Sequence, residues 1–125
     1  MDIHVFRKEY ELPESIEKWG WKYHHLEIPT EKKMLNERYI SKFKFYVSGF
    51  NSSPFGIEWM RFEEDSPFNL LIKTVPYLAF VVQDLDFELA NRELKILAEP
   101  KLPSEGHRVA MVEHNGAPIE LMEFK

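Results

Sequence analysis

Asn115-Gly116-Ala117-Pro118-Ile119-Glu120-Leu121-Met122-Glu123-Phe124 is the stretch from which the rest of this chain can be read. Asn-Gly marks a tight hairpin, because both central residues must adopt positive φ and these two tolerate it best. The spacing therefore predicts a strand over His107–Glu113, a turn at His114-Asn115-Gly116 and a closing strand over Ile119–Phe124. Successive strand residues face opposite sides, so Glu120 and Glu123 have opposite parity. If Glu120 points into a concave interior, Glu123 faces out. An inward carboxylate costs desolvation unless it is paired or metal-bound, which makes Glu120 the first candidate functional residue.

Working back from there, Tyr77–Gln83 is expected as a buried strand. Asp84-Leu85-Asp86 has the form of a helix start, with Asp86 as N-cap. A helix over Phe87–Glu93 follows, with Leu89 and Ala90 toward the core. Leu94–Glu99 gives a short strand, and Pro100–Gly106 a proline-punctuated loop. In the first half, Tyr23–Pro29 alternates and ends on proline, a strand pattern. His24 and His25 are adjacent, so only one of them is expected to face a concave interior. Thr30–Arg38 is charged and is left as a loop or one or two helical turns. Ser41–Ser48 and Phe55–Phe62 read as strands separated by the Asn51-Ser52-Ser53-Pro54 turn. Glu63–Pro67 is a solvated acidic loop, followed by a short amphipathic stretch through Leu70–Ile72. Before all of this, Ile3–Phe6 is a candidate strand and Pro13–Gly20 a short helix, with Ile16 and Trp19 on one face.

The 125 residues suit one domain, and 44% hydrophobic and 14% aromatic content supplies a core. Without cysteine, disulfides, thiolate metal sites and cysteine nucleophiles are excluded. The net charge is -5 and the basic residues are scattered, which argues against nucleic-acid binding. No apolar run reaches the roughly 20 residues of a membrane span, and no signal peptide is recognisable. A cytoplasmic location is the expectation. Phosphate loops, nucleophile elbows and His-Glu-x-x-His motifs do not occur. Glu63, Glu64 and Asp65 form a solvated run, and His107 and His114 are expected to face solvent.

The order strand, Asp-Leu-Asp helix start, strand, then two strands joined by Asn-Gly and ending Pro-Ile-Glu-Leu-Met-Glu-Phe resembles the βαβββ module of the vicinal oxygen chelate superfamily. That superfamily includes glyoxalase I, extradiol dioxygenases, methylmalonyl-CoA epimerase and the bleomycin- and fosfomycin-resistance proteins. The resemblance implies an α+β chain in which two βαβββ-type modules form a cup-shaped mixed sheet. Residues 75–125 would be the second module and 23–74 a shortened first module, behind an N-terminal extension, 1–22. Between His25-Leu26-Glu27-Ile28 and Gly56-Ile57-Glu58-Trp59 the usual long helix has little room, and the Pro13–Gly20 helix is expected to cover that face instead.

Metal-using members take ligands from four strands. Matched onto this chain, the resemblance implies His25, Glu58 and Glu120 as ligands, with Tyr77 where the family has a third-strand His. A divalent zinc, nickel, iron or manganese ion would suit such a set. Glu58 or Glu120 would be the general base of a glyoxalase-I-like lyase or isomerase acting on a small oxygen-rich substrate. Ile57 and Trp59 would then cover the opposite face. The alternative is a metal-free small-molecule binding protein of the bleomycin-resistance kind, its cup lined by Tyr77, Trp59 and Phe45. Either version would be a homodimer, and Trp19, Trp21 and Tyr23 are candidates for a dimer or partner contact.

Overall fold

The structure is a computed structural model that describes residues 7–104 and 106–125; the candidate strand at Ile3–Phe6 lies outside them. Eight strands form a single mixed sheet: β1 (Lys22–Pro29), β2 (Arg38–Ile40), β3 (Phe45–Ser48), β4 (Ile57–Phe62), β5 (Tyr77–Val81), β6 (Lys95–Ser104), β7 (His107–His114) and β8 (Ala117–Phe124). Three short helices accompany them, α1 (Glu14–Glu17), α2 (Leu70–Thr74) and α3 (Leu85–Asn91). The spatial order is β2-β3-β4-β1-β5-β8-β7-β6. This is an α+β chain with a curled half-barrel sheet, as expected of paired βαβββ modules.

The order is a near-repeat about its centre. Parallel β1/β4 answers parallel β5/β8, and antiparallel β1/β5 joins the halves. Registers match as well. Glu58 lies opposite Glu27, and Glu120 lies opposite Ala79, which is two residues after Tyr77 just as Glu27 is two after His25. His25 and Tyr77 therefore occupy equivalent places in the two halves, and so do Glu58 and Glu120.

Period-two alternation divides the apolar residues between two clusters. On the helix-covered face Trp21, Phe80, Val82, Leu85, Ala110, Val112 and Leu121 pack together. On the concave face Val47, Met60, Ile72, Tyr77 and Met111 do so. Helix α1 joins the first cluster through Ile16, with Trp19 just beyond it. It therefore helps α3 cover the second module and does not replace the missing helix of the first. Residues 30–37 remain a loop, and Leu78, whose side chain faces that uncovered half, is 41% exposed.

Three local expectations are corrected. Asp84, not Asp86, caps α3, its side chain accepting from the Phe87 amide at 3.0 Å, while Asp86 forms a two-pronged pair with Arg108. Ala90 is exposed, and Leu85 and Glu88 supply the buried side instead. Pro100–Ser104 continues β6 rather than forming a loop; β6 is the sheet edge, where proline removes no needed ladder bond. The Asn115-Gly116 turn has φ of 48° and 86°, as a tight hairpin requires.

Candidate functional site

The concave face encloses a cavity of about 480 Å³. Its polar wall comes from His24, His25, Glu27, Glu58, Tyr77, His107 and Glu120. Strand β1 contributes three of these. His25 and Glu27 share parity and both face the cup. His24 reaches it too, because the β1/β5 pairing shifts register between Tyr23 and His25. That bulge overturns the expectation that only one histidine of the pair can face inward. Gly56 accommodates it at the start of β4: its carbonyl accepts from the Leu26 amide at 2.8 Å, and a Cβ there would stand 3.0 Å from the His24 carbonyl.

The His25 Nε2 atom lies 2.7 Å from Glu27 Oε1 and 3.6 Å from Glu120 Oε1. One ligand atom from each of the three residues falls within 4.8 Å of the others. Despite the short approach, Glu27 Oε1 is buried and, among the described residues, receives no aligned hydrogen bond. On its other side, His25 Nδ1 meets His24 Nδ1 at 2.7 Å. One of these two nitrogens must therefore donate and the other accept. The His24 ring is held by stacking on Phe50, with centroids 5.1 Å apart.

The electrostatics follow from burial and crowding. Burial opposes charge on His25, yet the Glu120 and Glu27 carboxylates outweigh it and carry its pKa up to about 10. Burial pushes Glu27 well above the usual carboxylate range, helped by the neighbouring Glu120 and Glu58 charges. Tyr77 is raised well above the ordinary phenol value by burial and then by the three nearby carboxylates, so it stands here as a neutral phenol. Its hydroxyl lies 3.6 Å from Met60 Sδ.

The structure thus brings His25 and Glu120 together and sets Glu58 beside them on the cup wall. It adds Glu27, which the sequence-based assignment passed over although it follows His25 by two strand residues. Tyr77 and Phe45 line the cup. Trp59 does not: it faces the other side with Ile57 and borders a separate depression beside Lys32, Lys33 and Ser48. His107 is also corrected, because it lines the cup, stacked on Phe124 at 4.6 Å, with its Nε2 buried and without a partner among the described residues. Glu123 does point away from the cup, but it is 4% exposed, accepting from the Leu85 amide at 3.0 Å under α3.

No family model matches the sequence, and neither does any curated protein. Solved structures do resemble it. One is a hypothetical protein from Bacillus halodurans C-125, at TM-score 0.64 and 17% identity, covering 84% of this chain and 95% of that one. Another is methylmalonyl-CoA epimerase from Mycobacterium tuberculosis, at TM-score 0.54 and 18% identity, covering 83% and 88%. At these identities the likeness is one of fold.

Proposed function

We propose that the chain is a vicinal-oxygen-chelate enzyme that moves a proton at a carbon next to a carbonyl, with a divalent metal held by His25, Glu27 and Glu120. The observation that carries this is the convergence of one ligand atom from each residue within 4.8 Å. The donor set suits the group. Two atoms only 2.7 Å apart without an aligned hydrogen bond have the relation of neighbouring ligands aimed at a common point. Imidazole suits zinc, iron and nickel, and carboxylate suits manganese, so the mixed set can hold a divalent ion of this group. Such an ion would supply positive charge where an enolate oxygen develops.

The remaining groups belong to the chain itself. His25 Nδ1–H donates to His24 Nδ1, which fixes the ring and leaves Nε2 facing the carboxylates. Glu58, on the cup wall beside Glu27, is the base. It takes the proton as the C–H bond breaks, the electron pair passes into the enolate, and the proton is returned to carbon to give the product. Neutral Tyr77 and the apolar wall limit water around the reacting carbon. In place of the family's second imidazole, this chain has Glu27, the residue opposite Tyr77 across β1/β5.

Protein purified without chelator should carry stoichiometric metal by elemental analysis, lost in His25→Ala and Glu120→Ala. Protein that stays metal-free after incubation with zinc, nickel, iron and manganese salts sinks the proposal. The metal-free binding protein would then be the better reading.

A further inference from the structure

The cup has an opposite pole. Away from the carboxylates its lining is cationic, with Arg38, Lys42 and Lys101. All three side chains are exposed, and among the described residues none is in an ion pair. Lys44, Arg61, Arg92, Lys95 and Arg108 have acidic partners, and the described lysines Lys18, Lys22, Lys32 and Lys33 are without one elsewhere on the surface, so what sets these three apart is that they line one opening. In a chain of net charge -5, three uncommitted cations around one opening are conspicuous. Glu99 is the acidic residue lining this end, so the balance there remains positive.

The two lysines come from opposite margins of the curled sheet. Lys42 lies in the β2–β3 turn and Lys101 on edge strand β6. Their ammonium groups stand 5.3 Å and 5.5 Å from the centroid of the same Phe43 ring. That ring excludes water from one side of both charges, which strengthens their pull on an anion. Strand β4 runs from Glu58 at the acidic pole to Phe62 near the cationic one, four residues at about 3.3 Å each, so the poles are roughly 13 Å apart. Apolar Phe45, Val47, Met60 and Met111 line the stretch between.

We propose that the cup takes an elongated acid, with an oxygen-rich head at His25 and Glu120, an apolar middle, and a carboxylate or phosphate tail held by Lys42, Lys101 and Arg38. The head assignment rests on the function proposed above; the tail site does not need the metal. Chelator-treated protein is titrated with hexyl phosphate, hexanoate and hexanol, following amide shifts by NMR at low and high salt. At least one anion binds about tenfold or more tighter than the alcohol. The preference shrinks in high salt, because exposed charges are screened. It disappears in the Lys42→Glu/Lys101→Glu double variant, whose exposed sites leave the core intact. Whichever anion binds more tightly identifies the tail. Equal binding of all three probes, or a preference that survives in the folded double variant, overturns the inference. Should the double variant not fold, the salt dependence of the native protein decides the same question. His25→Ala keeps the anion preference, and native protein that takes up no metal yet shows that preference would defeat only the metal reading.

Discussion

His25 has both ring nitrogens engaged, one against His24 and one against two carboxylates. Two predictions follow its chemistry. Replacing His24 by Ala removes the group that orients the ligand and should weaken metal binding by roughly 10–100-fold, measured by competition with a chromogenic chelator. An unchanged affinity would assign His24 to packing alone. The second concerns pH. With its folded pKa raised to about 10, His25 stabilises the metal-free protein fully below its free value of 6.5 and loses that contribution as pH rises through about 10. Glu27, raised by burial, adds a loss in the same direction beginning above its free value of 4.5. The metal-free protein should therefore melt at progressively lower temperature between about pH 6 and pH 10, and His25→Gln should flatten that slope. Metal affinity should change the opposite way, because its ligands must be deprotonated. Melting curves with and without chelator test both signs. At this scale His25, Glu58 and Glu120 were legible from strand parity and resemblance. Glu27 was missed, although the same period of two, counted from His25, would have found it. His24 was not, because nothing in Tyr23-His24-His25 announces a bulge.

Helix α3 is held at its N-terminus by two carboxylates of different origin. Asp84 caps the Phe87 amide locally, and Glu123 reaches from β8 to the Leu85 amide. Asp84→Ala should cost about 1 kcal/mol, as cap removal usually does. Glu123→Ala should cost more, about 1–3 kcal/mol, because it strands a buried amide and removes a partner of Arg108. Urea denaturation compares them, and an Asp84 effect larger than the Glu123 effect would refute the ranking. The strands could be read from alternation, yet this helix begins earlier than its pattern suggested. Asp84 and Asp86 are both good caps, and only the packing of Leu85 between them decides. Edge position likewise cannot be read locally, so the prolines of β6 looked like breaks.

At the scale of the molecule, the two modules are one structure. Strand β5 pairs with β1 on one side and β8 on the other. Trp21, from the first half, sits in the cluster under α3 and donates from Nε1 to Glu88 at 2.9 Å. In the concave cluster, Val47, Met60 and Ile72 meet Tyr77 and Met111. Residues 75–125 carry the most recognisable sequence pattern, but alone they would lose all of these partners and expose β5 as an open edge. So small a unit also buries too little apolar surface to offset its conformational entropy. The fragment 75–125 should therefore give a collapsed amide NMR spectrum, gaining dispersion only when a fragment of residues 7–74 is added. A dispersed spectrum and cooperative melting of the fragment alone would show that the repeat is a pair of independent folds. On the present geometry the cup exists only where the halves meet, since His25 and Glu27 come from one and Glu120 from the other.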